Sequence, residues 1–178
     1  MPDFSALDPK LDEGRHTCRA IIESPKGSRS KYAFDPETGA FALKRILPDG
    51  MSFPLDFGFV PGTSAEDGDP LDILVLNDEP GCVGALVEAR LVGVIEGEQR
   101  EDGKTFRNDR ILAVAQVSHL FRSIRVADDL DGPVLKNLTQ FWVNYGALRG
   151  AEFVVLGLQG PQAAVEAVRQ ARTAFLGR

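Results

Sequence analysis

An acidic segment near the middle of the chain holds the side chains whose types and spacing most clearly suit chemistry. Asp67, Asp69 and Asp72 fall within six residues, directly before the apolar run 73–76. Carboxylates this close repel one another, and each raises the pKa of its neighbours unless a cation intervenes. Hard divalent cations such as Mg2+ prefer all-oxygen ligands of this kind. The spacing therefore indicates a divalent metal site, and a solvated acidic turn is the alternative interpretation.

Separate cationic side chains would complete a site for phosphate chemistry. An anionic phosphate repels an incoming nucleophile, whereas bound metal ions neutralise its oxygens and lower the pKa of a bound water. Cations then stabilise the charge on the transferred and leaving phosphates. Lys31, Arg45 and Arg110 are the candidates in this chain, although a cation taken alone is more often a solvated surface charge. Acids for metal ions and cations for phosphate are thus both present.

Length, composition and charge limit the possible classes of protein. The 178 residues are 43% hydrophobic and 26% charged, as in ordinary globular proteins, so we predict a single domain over 1–178 with a loose N-terminal arm over 1–15. The net charge of −6 argues against a nucleic-acid partner. No apolar run approaches the ~20 residues that span a bilayer, so no membrane partner is expected. Segment 1–11 has no apolar signal region, and Cys18 and Cys82 lack CxxC spacing, which together favour the cytoplasm.

Short strand-like runs separated by glycine and proline dominate the first part of the chain, and helical patterns follow. We predict a hairpin that turns across 35–39 and a helix with Pro133 in its first turn and Gly146 at its C-terminal end. A second helix begins near Pro161. Many strands followed by two helices are typical of an α+β fold, with a small curved sheet or barrel and helices outside it. The predicted strands are 17–22, 32–34, 40–47, 73–76, 85–95, 111–117 and 153–158.

The acidic segment resembles the signature of the soluble (type I) inorganic pyrophosphatase family. Residues 67–73 match that family's Asp-x-Asp-Pro-apolar-Asp-apolar string, which is a specific motif. The resemblance extends in the same order over most of the chain, from residue 17 to residue 160. Further matching segments are 21–25, 30–32, 39–45 and 53–59 upstream, and 108–114 and 141–145 downstream.

The resemblance implies both a fold and an activity. The fold is an OB-like five-stranded β-barrel with outer α-helices, and the activity is Mg2+-dependent hydrolysis of inorganic diphosphate to two phosphates by metal-activated water. Asp67 and Asp72 should bind Mg2+, with Asp72 bridging two ions, and Asp69 should orient or deprotonate the water. The bacterial members of the family also imply a homo-oligomer, often a hexamer, with pyrophosphate as the small-molecule substrate.

Five further side chains receive roles from the same resemblance. Lys31, Arg45 and Arg110 should contact phosphate oxygens, and Tyr145 should hydrogen-bond the substrate. Glu23 should support the site at its edge. Taken alone, Tyr145 on an apolar helical face would be interpreted as a core aromatic, and Glu23 as a surface acid.

Five positions depart from the family's active-site pattern. Ala33 stands where an acidic residue is usual, Phe53 and Phe57 stand where tyrosines are common, and Gly146 replaces a common lysine. Asn108 replaces an aspartate that normally coordinates metal, and its amide oxygen brings no negative charge. The three aspartates of the signature are intact. We therefore expect the part that activates water to function, and the metal set at the leaving phosphate to be altered.

A longer, acidic stretch ahead of Arg110 leaves the replacement ligand open. Glu101, Asp102 or Asp109 could take the place of the missing carboxylate, or the protein could bind fewer metal ions. Because alternate residues of a strand share a face, Asn108 is expected beside Arg110 at the phosphate site, with Asp109 pointing away. A β-bulge would instead re-aim Asp109 into the site.

Two other classes of function stay open from the sequence. The chain could be a noncatalytic or regulatory OB-like relative that binds phosphate, because Ala33 and Asn108 weaken the catalytic pattern. It could also hydrolyse another small phosphoanhydride. Nucleic-acid binding by such a barrel would need aromatic platforms in a basic groove, and the 8% aromatic content and acidic balance argue against it.

Overall fold

The computed structural model describes residues 3–177. Within that range the chain forms nine β-strands, two α-helices and two short 3-10 helices, at Phe4–Ala6 and Ala127–Asp129. The α-helices are α1 (Gly132–Leu148) and α2 (Pro161–Leu176), and no described helix is both long and apolar enough to cross a membrane. The strands, in chain order, are β1 (Thr17–Ser24), β2 (Ser30–Asp35), β3 (Ala40–Ile46), β4 (Asp56–Phe59), β5 (Asp72–Leu76), β6 (Leu86–Glu101), β7 (Lys104–Arg107), β8 (Arg110–Ala115) and β9 (Glu152–Gln159).

Five of the strands close into a barrel. β1 pairs with β4, β4 with β5, β5 with β8 and β8 with β6, and β6 then pairs with β1 to complete the ring. The β5–β8 pair is parallel, and the other four pairs are antiparallel. Closure leaves these strands without free sheet edges. The predicted α+β fold, an OB-like five-stranded barrel with outer helices, is confirmed.

Two hairpins extend from the barrel. β2 and β3 pair across the predicted turn at 35–39, whereas β6 continues past the barrel to pair with β7 and β9. The predicted long strand ends at residue 95, but β6 runs to Glu101 because the acidic stretch folds as the β6–β7 hairpin. β4 is absent from the predicted strands, and there a Cβ on Gly58 would lie 1.8 Å from the Ile21 carbonyl oxygen. Close packing on β1, rather than strand propensity, positions β4.

Alternate residues of the strands build two apolar clusters. Ile73 and Val75 of β5 face one cluster, which includes Val168 of α2. Leu74, between them in the chain, faces the other cluster, which includes Trp142 of α1. All five side chains are at most 2% exposed. Since successive side chains of a strand point to opposite faces, α1 and α2 cover different faces of the same strands.

Helix α1 starts as predicted but ends later. Pro133 lies in its first turn, where the missing amide proton costs nothing. The predicted stop at Gly146 is wrong, because the helix continues to Leu148 and Gly146 is buried within it. A Cβ at Gly146 would lie 3.2 Å from the Ala151 carbonyl oxygen and 3.3 Å from Phe153. This glycine therefore serves close packing of α1 on β9 rather than helix termination.

The N-terminal segment lies against the barrel rather than forming the predicted loose arm. The rings of Phe4 and Phe34 meet edge to face with their centroids 5.3 Å apart. The Asp8 carboxylate lies 3.6 Å from the guanidinium of Arg172 on α2. These contacts attach Phe4 to the β2–β3 hairpin and Asp8 to α2, whereas the first two residues of the predicted arm lie outside the described range.

Candidate active site

A cavity of about 480 Å³ opens at the end of the barrel where β5 and β8 begin. Because these two strands are parallel and adjacent, the acidic loop before β5 and the residues before β8 reach the same point. β1 ends at this cavity, and the β2–β3 hairpin, the β6–β7 hairpin, β4 and α1 supply further parts of its wall. Eight of the residues predicted for the site line the cavity: Glu23, Lys31, Asp67, Asp69, Asp72, Asn108, Arg110 and Tyr145.

The acidic loop is shaped by its own hydrogen bonds. The amide of Asp69 donates to Oδ1 of Asp67 over 3.0 Å, and Gly68 between them adopts a φ of +92° that favours glycine. Burial raises the pKa of Asp67, and the neighbouring carboxylates of Asp69 and Asp72 add to that increase, while the bond from the Asp69 amide opposes it. The loop therefore gathers negative charge that a bound cation would stabilise.

Asp72 and Arg110 form the central ion pair of the cavity. They begin the adjacent strands β5 and β8, and Asp72 Oδ2 lies 2.6 Å from Arg110 Nη1. Burial raises the pKa of Asp72, an effect that Arg110 and Lys31 oppose. The Arg110 guanidinium lies 4.6 Å from the centre of the Trp142 ring, and its Nε is buried without a hydrogen-bond partner. The guanidinium is thus held in place while keeping a free donor.

Asn108 and Asp109 point in opposite directions. Asn108 is 8% exposed; its Nδ2 donates to Oε1 of Gln99 over 2.7 Å, and its Oδ1 accepts from Arg110. Asp109 instead accepts from the amide of Gly97 over 3.0 Å, and pairs with an arginine of β7 outside the cavity. This is the strand register that the sequence predicts. It does not bring Asp109 to the cavity as a metal ligand.

Of the acidic candidates on the β6–β7 hairpin, Glu101 reaches the cavity and Asp102 does not. Glu101 Oε2 accepts from Nε2 of Gln99 over 2.5 Å and lies 3.4 Å from Nη2 of Arg149. Asp102 and Gly103 have positive φ values of 52° and 73° and form the two-residue turn of the hairpin. Asp102 is therefore exposed at the tip of the hairpin, away from the cavity-lining residues.

Lys31 and Glu23 form the opposite wall. Lys31 Nζ lies 3.1 Å from Glu23 Oε2 and 4.1 Å from the centre of the Phe57 ring. Burial raises the pKa of Glu23, and the charge of Lys31 opposes that increase. Arg45 stands opposite Lys31 in the register of the β2–β3 hairpin, and its Nη1 donates to the Leu148 carbonyl over 3.4 Å. Arg45 is therefore near the site but is not among the residues that line the cavity.

Arg149 also lines the cavity, although it is not among the residues predicted for the site. It directly follows α1 and comes four residues after Tyr145, so both side chains lie on the same side of the helix end. Burial raises the pKa of Tyr145, and the charge of Arg149 is the first of several that oppose this. The four-residue spacing from Tyr145 was available in the sequence, but the predicted helix stopped at Gly146 and so excluded Arg149.

Comparison with known proteins places this site in a family. The family model named Pyrophosphatase, described as inorganic pyrophosphatase, matches residues 20–175. The chain belongs to the inorganic pyrophosphatase family. The inorganic pyrophosphatase of Methanosarcina acetivorans is 36% identical over 156 residues, covering 88% of this chain and 90% of the relative. That of Thermus thermophilus is 35% identical over 180 residues, covering 99% and 100%.

Solved structures of inorganic pyrophosphatases share the whole fold. The crystal structure of the enzyme from Thermus thermophilus superposes with a TM-score of 0.90 at 33% identity, covering 99% of this chain and 100% of the other. An inorganic pyrophosphatase from Neisseria gonorrhoeae superposes with a TM-score of 0.86 at 27% identity, covering 96% of each chain. The family that the acidic signature predicts is confirmed.

Proposed function

We propose that this protein is an inorganic diphosphatase that hydrolyses pyrophosphate to two phosphates with Mg2+. One observation carries the proposal: a single cavity in a chain of this family holds the carboxylates of Asp67, Asp69 and Asp72 together with the cations Lys31 and Arg110. Hydrolysis of a phosphoanhydride requires both kinds of charge, because acids hold the metal ions and cations bind the phosphate oxygens.

The donor set suits the divalent metal cofactor that the family implies. Among the described residues, no group of three acidic, histidine or cysteine side chains forms a complete ligand set. Mg2+ does not need one, because it usually keeps several waters and binds one or two carboxylates together with substrate phosphates. Asp67 and Asp72 would hold the metal. Once bound, it would supply hydroxide near neutral pH and neutralise phosphate oxygens.

Asp69 is positioned to handle the proton of the attacking water. Its side chain is exposed at the cavity, between the two metal-binding aspartates in the chain. Its backbone amide, rather than its carboxylate, makes the bond to Asp67. The carboxylate is therefore available to orient the water and to accept its proton.

The cations bind the two phosphates from different sides. Arg110 presents a planar guanidinium at the cavity, and Lys31 presents an ammonium group from the facing hairpin. Arg149 adds a second guanidinium at the end of α1, and the Tyr145 hydroxyl provides a further donor at the cavity wall. Arg45 supports this set from the rim. Guanidinium groups suit phosphate because their donors match its oxygens in pairs.

A second candidate function is a regulatory relative that binds phosphate without turnover. The bond between the amides of Asn108 and Gln99 favours it, because a neutral pair occupies the wall where a metal-binding carboxylate is expected. Phosphate release from pyrophosphate, measured with Mg2+ and again with chelator, separates the two functions. Metal-dependent release supports the diphosphatase. No release at any Mg2+ concentration from folded protein that still binds pyrophosphate supports the regulator.

We propose a single-domain, cytoplasmic homo-oligomer that takes pyrophosphate as its partner and binds neither nucleic acid nor membrane. Light scattering after size-exclusion chromatography measures the number of subunits, and a monomeric mass at working concentrations would contradict this part of the proposal.

A further inference from the structure

A second cavity, of about 510 Å³, lies at the other end of the same strands. The start of β1, the first part of β6 and the end of β8 form its wall. Each strand reaches the candidate active site at its opposite end, β1 with Glu23, β6 with Gln99 and β8 with Arg110. Along β6, Arg90 in the second cavity and Gln99 in the first are separated by roughly 30 Å of strand. The two cavities are therefore separate sites.

The second cavity concentrates positive charge on an acidic protein. Six cations and two acids line it, although the chain as a whole has a net charge of −6. In the part of the chain that the structure describes, the side chains of Arg90, Arg122 and Arg125 form no ion pair, and Arg125 contacts the Asp129 carboxylate only through its backbone amide. Such charges repel one another unless an anion lies between them. The cations are Lys10, Arg15, Arg19, Arg90, Arg122 and Arg125, and the acids are Asp12 and Glu88.

Hydrogen bonds from an arginine of the cavity fix the shape of its rim. Arg90 donates to the Ile124 carbonyl, and to the Arg122 carbonyl over 3.3 Å, which fixes the loop that carries Arg122 and Arg125 at the rim. Burial lowers the pKa of Arg90, and the nearby charge of Arg125 lowers it further. Arg19 Nε is buried without a hydrogen-bond partner, 4.0 Å from Oε1 of Glu88. A bound anion near Arg90 and Arg125 would offset the repulsion between their charges.

We propose that this cavity binds a small molecule that carries two or more adjoining phosphate groups. Each guanidinium group can bind two phosphate oxygens at once. The cavity has more guanidinium groups than a single phosphate would contact, so it suits a ligand with several phosphates. The volume falls within the roughly 300–1,000 Å³ of small-molecule sites. No aromatic side chain lines the cavity among the described residues. Recognition therefore depends on the phosphate chain and not on stacking of a base.

Calorimetric titration of the full chain in chelator, with inorganic tripolyphosphate as the probe, tests the site. We expect Arg122→Gln/Arg125→Gln to weaken binding at least tenfold, because both side chains are exposed at the rim and the fold does not depend on them. Lys44→Gln/Lys136→Gln removes the same charge from exposed positions outside both cavities and should leave the affinity unchanged. ATP, titrated in parallel, should bind about as tightly as tripolyphosphate, whereas markedly tighter ATP binding would show that the base is recognised.

Three outcomes would overturn the proposal. The first is no binding of tripolyphosphate to the wild-type protein. The second is unchanged affinity in Arg122→Gln/Arg125→Gln, or complete loss of binding in Lys31→Gln, which would place the probe in the candidate active site. The third is a change in subunit number, measured by light scattering, with no change in affinity. The arginine cluster would then be a contact between copies of the chain.

Discussion

Asn108→Asp tests most directly how far the metal site departs from the family pattern. Asn108 Oδ1 and Asp72 Oδ2 both contact Nη1 of Arg110, Asp72 at 2.6 Å. Two acceptors of one nitrogen lie within roughly 5 Å of each other, so a carboxylate at position 108 would face a metal ion held by Asp72. We therefore expect the variant to bind Mg2+ more tightly than the wild-type protein does.

The size of the effect follows from the same geometry. A carboxylate at position 108 and a Mg2+ ion about 5 Å away, with charges of −1 and +2, interact by about 7 kcal/mol at an effective dielectric constant of about 20. Desolvation of a carboxylate at a position that is 8% exposed, and its attraction to Arg110 before metal binds, both oppose this gain. We expect about 1.4 kcal/mol to remain, which is a tenfold lower Mg2+ midpoint. Loss of the bond from Nδ2 to Gln99 should make the metal-free variant about 1 kcal/mol less stable.

Two measurements across a Mg2+ titration report the midpoint: the initial rate of phosphate release and the melting temperature. The melting temperature should rise with Mg2+, because a ligand that binds the native state stabilises it by mass action. Asp109→Asn is the matched control, since its carboxylate contacts Gly97 and Arg107 outside the cavity. An unchanged midpoint for Asn108→Asp together with a weakened one for Asp109→Asn would refute the reasoning. No Mg2+-dependent melting shift in any variant would favour a solvated acidic turn.

Two further substitutions test the water-activating and phosphate-binding roles. Asp69→Asn should keep the fold and lower kcat by ~10²–10⁴-fold, the usual contribution of a positioned base; near-normal turnover of folded variant would remove Asp69 from the mechanism. Arg149→Gln should lower kcat/KM by about 10-fold, mainly through KM, because it removes a charge-assisted hydrogen bond of about 1.5 kcal/mol. Arg169→Gln, an exposed arginine paired with Glu166 on α2, is its control, and equal effects of the two would leave Arg149 without a role.

The sequence was sufficient for the family, the fold and most of the site because the decisive residues form one short motif. Asp67, Asp69 and Asp72 lie together in the chain and line one cavity in the structure. The position of Asn108 also followed from the sequence, since alternation along a strand places it on the same face as Arg110. Local patterns of this kind depend on neighbouring residues alone, which explains why they could be interpreted without a structure.

Features that depend on distant pairing could not be predicted in the same way. Asp102 was a reasonable metal ligand by composition, but the turn between β6 and β7 places it at the hairpin tip. Gln99 carried no signal at all, and it reaches Asn108 through the long course of β6. The arginines of the second cavity come from separate parts of the chain. Arg19 and Arg90 lie near each other because β1 pairs with β6.

Gly146 and Arg149 both differ from the prediction, and both differences come from the way the end of α1 packs. The close approach of α1 and β9 would leave a Cβ at position 146 only 3.2 Å from the Ala151 carbonyl oxygen and 3.3 Å from Phe153, so the neighbours would have to shift by a few tenths of an ångström to admit a side chain. That approach brings the Phe153 ring to 5.3 Å from the guanidinium of Arg110, where it helps to hold the cation at the cavity. Arg149 comes three residues after Gly146, close to one helical turn, and lines the candidate active site. The packing around Gly146 therefore supports Arg110, and Arg149 adds a further cation to the cavity wall.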